Sequence, residues 1–282
     1  MSMRTRQVLR YATATLAVAV AAALPSLASA QASPLDPAAG QWRFAASVYL
    51  YVPSLSGSTR VPADAPGTPI NVSLDQIIDK LDGALMGSFD AHNGRWGVFT
   101  DLVYVKFSDS KDSSRDFTIG EIGIPAGTTA SFAAELEGLA WTLAGTYRVA
   151  SKPGFTMDAL AGLRLFDVRQ RTQWSITGDI GPIAPEGRTG DATIDREVLD
   201  AVVGIKGRAA LGSGSPWAVP FYADVGTGDS DLTWQAAAGV SYAFKWGELN
   251  AMWRYLAYEM KPGKQFEDVE FNGPMVGVTF RW

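Results

Sequence analysis

The sequence predicts an all-β fold: a transmembrane antiparallel up-and-down β-barrel of ten strands, with a short helix in the first extracellular loop. Three observations predict it. From residue 42 onward the chain falls into ten segments in which apolar residues alternate with polar or small ones, the period-two pattern of strands with one apolar face. Each apolar face is about 9–11 residues long, the length of a tilted membrane-crossing strand, and no stretch offers the ~18 apolar residues of a spanning helix. The connections alternate between short turns and long loops, which sorts them onto two rims.

Residues 1–30 read as a secretory signal peptide. Arg4, Arg6 and Arg10 make a basic start, Ala12 to Leu24 an apolar stretch, and Ala28-Ser29-Ala30 a cleavage site after Pro25. Residues 31–41 are a polar, proline-bearing lead-in, and residues 42–282 the barrel. Strand one, about 42–54, sets Trp42, Phe44, Ala46, Val48, Leu50 and Val52 against Arg43, Ala45, Ser47, Tyr49 and Tyr51. The second to fourth strands lie near 81–91, 95–107 and 129–149. In the third, Asp101 is placed inward and Lys106 at the strand end, because a carboxylate facing lipid at mid-strand is costly. The fourth changes pattern near Glu137.

Strand five, from 155, directs Phe155, Met157, Ala159, Ala161, Leu163 and Leu165 one way, and Thr156, Asp158, Leu160, Gly162, Arg164 and Phe166 the other. Strand six opposes Leu199, Ala201, Val203 and Ile205 to Asp200, Gly204, Lys206 and Arg208. The seventh lies near 217–227. The eighth opposes Trp234, Ala236, Ala238, Val240, Tyr242 and Phe244 to Thr233, Gln235, Ala237, Gly239 and Ser241; the last two lie near 248–260 and 270–282. Long connections cover about 55–80, 108–128, 178–190 and 261–269, with a shorter member at 228–231. His92–Arg95, Ser151–Gly154, Gly212–Pro216 and Lys245–Gly247 are the short turns, assigned to the periplasmic rim together with both termini. Trp42, Phe44, Tyr147, Phe155, Trp217, Tyr242, Phe244, Phe280 and Trp282 fall near that rim in the outward phase, as an interfacial girdle does. In the first long loop, Ser73 and Gln76 form a capping box, and Leu74, Ile77, Ile78 and Leu81 share a helical face.

Composition narrows the function. The chain has no cysteine and one histidine, so a disulfide framework and a thiolate metal site are excluded, and no cofactor is expected. Three of the 24 basic residues and none of the 29 acids lie in residues 1–30, so the exported chain is net acidic and a poor partner for nucleic acid. His92 sits in a turn and is expected to be solvated there. Without a second histidine near the opposite rim, proton-shuttling hydrolytic chemistry lacks its usual base.

The terminal strand sets Val276, Val278, Phe280 and Trp282 against Met275, Gly277, Thr279 and Arg281. This ending resembles the C-terminal assembly signal of bacterial outer-membrane β-barrels, with Val278, Phe280 and Trp282 in the signal positions. Phenylalanine is the usual last residue there, so Trp282 departs from the pattern. With Leu74–Asp82, Arg95–Tyr104, Leu160–Phe166 and Gly228–Gln235, the chain resembles small outer-membrane β-barrel proteins of Gram-negative bacteria over residues 42–282. The resemblance implies the cell outer membrane as location and the barrel-assembly machinery as partner during biogenesis. Membrane lipid and lipopolysaccharide then become the neighbours. It implies no reaction and no oligomeric state.

The inward charges are the candidate functional residues. Asp158, Arg164, Asp200, Asp224 and Arg254, with Asp90 and Asp101, fall near mid-barrel, whereas Arg43, Arg148, Lys206, Arg208 and Arg281 gather toward the periplasmic mouth. They are read either as ion pairs filling a narrow lumen, with Arg164 and Arg254 balanced by Asp158, Asp200 or Asp224, or as a charged pathway or anion site. The expected function is a non-enzymatic, structural or surface-exposed barrel with a largely filled lumen. The alternatives are a narrow, porin-like channel for small solutes or ions and, further off, a barrel enzyme acting on lipid or peptide.

Both ends can be tested in one experiment. Membrane-extracted protein lacking Trp282 should still begin at Gln31 by intact mass, while the heat-shifting, assembled fraction falls severalfold. Normal assembly would remove the role of the terminal aromatic, and retention of Met1 would remove the export reading.

Overall fold

The computed structural model describes residues 40–59, 68–72, 81–113, 118–119, 122–123, 129–177, 188–261 and 266–282. The signal peptide and most of the lead-in lie outside these residues, as do all but the last residue of the expected helix, Leu81, which opens a strand. No helix among the described residues is long and apolar enough to cross a membrane.

Ten strands close into one barrel. They are β1 (Arg43–Tyr51), β4 (Leu81–His92), β5 (Trp96–Ser113), β8 (Thr129–Lys152), β9 (Phe155–Thr177), β10 (Arg188–Ala210), β11 (Trp217–Gly228), β12 (Ser230–Ala243), β13 (Glu248–Met260) and β14 (Phe266–Arg281). Each pairs antiparallel with its neighbours in that order, and β14 returns to β1 from Ala45↔Arg281 to Tyr51↔Met275. Closure leaves the spanning strands without an edge, which a lipid environment demands because backbone groups find no water there. Two short hairpins lie on long connections. β2 (Ser54–Thr59) and β3 (Thr68–Val72) extend the wall beside β14, and β6 (Thr118–Ile119) pairs with β7 (Ile122–Gly123).

The facing of the side chains follows the sequence alternation. Val48 (64 % exposed), Val203 (57 %), Leu163, Val240 and Val276 point outward, and such a continuous apolar exterior is stable only in contact with lipid. Rings border it at the short-turn rim, where Phe44, Phe89 and Trp282 cluster, Trp96 meets Tyr147, and Trp217, Tyr242, Phe244, Trp246 and Phe280 run in series. Trp141, Trp234 and Tyr255 lie farther toward the other rim. Gly94, Gly154, Gly212 and Gly214 take positive φ in the short turns, where a β-carbon would be strained.

Four strands run past the apolar belt. β5, β8, β9 and β10 are 18, 24, 23 and 23 residues long and stay paired well beyond the belt, so residues 108–113 and 188–190, expected as loop, are strand. β14 likewise begins at Phe266 rather than near 270. On the outer face of this extension Lys106 contacts Glu135 and Glu137, and Arg169 contacts Glu137 and Asp195. The hydrogen bond with Glu135 raises the Lys106 ammonium, and the same bond lowers the Glu135 carboxyl. The pattern change near Glu137 is therefore a change of solvent, with alternation continuing from lipid into water.

Val203→Arg, in the middle of the belt, should lower folding stability by ~2–4 kcal/mol in lipid, whereas Ser108→Arg, beyond it on β5, should change it little. Equal effects in equilibrium unfolding would contradict this placement of the belt.

Candidate functional site

The inward side chains meet in the lumen, layer by layer from the short-turn rim. There Glu248, the first residue of β13, accepts hydrogen bonds from Arg208 Nε at 3.3 Å and from Arg281 Nη1. Arg43 begins β1 beside His92 in the ladder. His92 itself is buried, correcting the expectation of a solvated turn residue. It closes β4 in the inward phase, accepts the Gly94 N–H on Nδ1 at 2.8 Å, and brings Nε2 to 3.6 Å from Asp158. Asp158 pairs with Arg148 on the adjacent strand. Across the lumen Lys206 pairs with Asp90, its ammonium 4.2 Å from the centre of the Phe99 ring.

Two arginines brace the middle of the barrel. Arg254 donates from Nη2 to Asp101 Oδ2 and to Gln235 Oε1, both at 2.8 Å, and from Nη1 to Tyr49 Oη at 3.1 Å. Tyr49 in turn donates to Asp101 Oδ1 at 2.5 Å. Arg164 pairs with Asp224 and reaches the hydroxyls of Thr142 at 3.2 Å and Thr233 at 3.4 Å; Tyr222 also donates to Asp224. Arg164, Asp224, Arg254 and Asp101 are all buried. Asp200 has a different duty. It accepts the Ser230 N–H at 2.9 Å and the Ser230 hydroxyl at 2.8 Å, holding the tight connection at Asp229. Beyond these braces Phe166, Val198, Leu256 and Tyr258 pack together with Phe271 against them, and Phe166 stacks on Tyr258 at 4.6 Å between ring centres.

Between the rim pairs and the Arg254 brace lies a cavity of ≈ 320 Å³, lined among others by Ser47, Ser88, Phe99, Tyr222, Asn250, Met252 and Met275. Its charged lining alternates in sign, since every cation there, Arg148, Lys206, Arg208, Arg254 and Arg281, has a carboxylate against it. Among the described residues no cluster of three or more histidines and acids is arranged to hold a metal ion.

No family model matches the chain, and no curated protein does. Among the solved structures it is similar to are three proteins of low identity. The translocator domain of the autotransporter NalP from Neisseria meningitidis is 15 % identical, over 88 % of this chain and 91 % of that one, with a TM-score of 0.36. The outer membrane protease OmpT from Escherichia coli is 8 % identical, over 91 % and 100 %, at 0.42. Ail, the attachment invasion locus protein of Yersinia pestis, is 8 % identical, over 86 % and 98 %, at 0.32. These neighbours are outer-membrane β-barrels. Likeness of this degree assigns no activity.

The sequence-predicted charges thus meet in partly different pairs. Arg164 has Asp224, one of its three expected acids. Arg254 has Asp101 instead of Asp158, Asp200 or Asp224, while Asp158 serves Arg148 and Asp200 serves a turn. Glu248, Tyr49 and Gln235 were missed as members of the network. The signal for Glu248 was present, since it shares the phase of Arg254 three turns of alternation away on one strand.

Leaving one charge of such a buried pair alone typically costs ~3–5 kcal/mol, much of it the unpaired partner's desolvation. Arg254→Met should therefore lower the unfolding free energy by about that amount, and adding Asp101→Leu should restore most of it. A double variant no more stable than the single one would show that the pair is not what holds this layer.

Proposed function

We propose that the chain is a non-enzymatic integral protein of the outer membrane of a Gram-negative cell, with a closed lumen and a working surface beyond the membrane. The observation that carries this is the double brace at mid-depth. Arg254–Asp101 and Arg164–Asp224 link facing strands through the interior with their hydrogen-bonding partners, and Phe166, Tyr258 and Phe271 pack together beyond them, which supports a filled lumen. Ten strands enclose little more than their own side chains, as eight-stranded barrels do, whereas aqueous channels accompany about 16–18 strands.

In this reading the short-turn rim faces the periplasm and the extended strands face outward. The ion pairs around Lys106 and Arg169 then stand in water just above the lipid and lipopolysaccharide that surround the belt, and the assembly machinery handles the Trp282 strand. Against enzymatic activity stands the position of His92, locked at the periplasmic rim beside Asp158 and Gly94, away from the outer face. The second reading, a narrow channel, is favoured by one feature, the cavity at the short-turn mouth.

Planar-bilayer recording separates the two. The refolded protein should show no steady unitary conductance in concentrated potassium chloride, while Arg164→Ala combined with Arg254→Ala should raise ion leak wherever the variant still shows a heat-shifted band. Steady channels from the unaltered protein would overturn the closed-lumen reading.

A further inference from the structure

Among the described residues the extension beyond the belt leaves two strand edges without a paired neighbour, that of β5 past Phe107 and that of β10 before Asp200. β10 pairs with β9 from Arg188↔Ile176 to Ala209↔Phe155 with no register shift, but with β11 only from Asp200↔Gly228 onward. The chain on that side turns back at Asp229, which binds Leu199 through both backbone groups: the Leu199 N–H donates to Asp229 Oδ2 at 3.0 Å and the Asp229 N–H to the Leu199 carbonyl at 3.1 Å. Past this cap, no strand among the described residues pairs with the edge of β10 from Arg188 to Ile194. Proteins guard such edges with prolines, bulges or a cover. Here the segment Arg188-Thr-Gly-Asp-Ala-Thr-Ile194 has no proline, and its ladder has no bulge.

The two faces beside this edge differ in chemistry. The outer face carries Asp191, Asp195 and Glu197, all exposed. Asp195 is taken by Arg169 at 2.8 Å, but Asp191 stands opposite Gln173 and Glu197 opposite Asp167, so the row is acidic in excess. Burial raises the Asp167 carboxyl, and Glu197 and Asp195 add to the rise against the opposing pull of Arg169. On the inner face the indole of Trp174 lies over Gly190, its ladder partner. A β-carbon at Gly190 would come to 2.5 Å from the ring, so glycine lets the indole lie against the β10 backbone.

We propose that this edge binds an extended polypeptide segment of a partner protein by strand addition, with basic residues of the segment over the acidic row and apolar residues beside Trp174 and Gly190. The backbone supplies the ladder, and the two faces select an alternating basic–apolar strand. A second copy of β10 is the wrong occupant, since antiparallel self-pairing sets one acidic row beside the other. The inference rests on the proposed function only in placing the outer half of β10 in water, and is independent of conductance.

The probe is a short synthetic peptide alternating lysine and valine, added to the full-length mature protein refolded in detergent micelles and in lipid vesicles. It should bind saturably, and the amides of residues 188–194 should gain hydrogen-exchange protection. N-methylation of alternate peptide nitrogens should weaken binding at least about tenfold, or ~1.4 kcal/mol, because it removes ladder donors. Asp191→Lys with Glu197→Lys should weaken it similarly while keeping the heat-shifted band. Should that variant fail to assemble, the methylated peptide on unaltered protein decides alone. Equal binding of the methylated peptide, or no new protection at 188–194, would overturn the proposal by reducing the effect to charge adsorption. Amides already protected in vesicles before peptide is added would instead overturn the placement of this segment in water.

Discussion

A backbone N–H or C=O in hydrocarbon must find its partner within the protein, and the rest of this structure follows from that requirement. Closure of β14 on β1 meets it, joining strands at opposite ends of the chain through seven register pairs from Ala45↔Arg281 to Tyr51↔Met275. Once the sheet is closed, each strand has a lipid side and a lumen side, and alternation assigns every residue to one of them. Val48, Val276 and Val278 then belong outside, and Ser47, Tyr49 and Thr279 inside. The Ser47 and Thr279 hydroxyls meet across the closing ladder at 2.8 Å.

Closure creates a second problem. A narrow lumen confines whatever charge the inward phase carries, and confined charge is tolerable only when paired and hydrogen-bonded. The solution is layered. Near the rim one partner of a pair stays in water, as Arg281 does against the buried Glu248, and the most buried pairs, Arg164–Asp224 and Arg254–Asp101, carry the most auxiliary bonds. Hydroxyls of Thr142, Thr233, Tyr49 and Tyr222 supply what water supplies nearer the mouth. In the closed-lumen reading proposed above, the arrangement that neutralises the interior is also what fills it.

Beyond the membrane the requirement lapses, and the structure changes character there. Water can satisfy a strand edge, so β10 can run beyond β11 with no described strand paired on that side. Charges can stand outward, as Lys106, Glu135, Arg169 and Asp195 do. An extension free of the lipid constraint is the part of such a protein on which binding chemistry can vary without disturbing the barrel.

The facing of residues in the spanning strands was legible from sequence because alternation is local and lipid penalises a wrong phase strongly. The phases of β1, β9, β10, β12 and β14 agree residue by residue with the structure. The inward turn of Asp101 and the outward one of Lys106 were legible for the same reason. The outer halves of β5 and β10 were less so: Ser108–Ser113 and Arg188–Gly190 lie past the apolar belt, where no apolar face is required, and their composition resembles that of loops. His92 was read as solvated because its turn neighbours are polar, whereas its phase directs the ring inward. What the sequence by itself determined is which residues face lipid and which face the lumen, and hence the barrel. Only the tertiary structure decided which lumen charges meet, because Arg254 and Asp101 stand 153 residues apart and are brought together by how the closed barrel staggers its strands, a global quantity that no local pattern encodes.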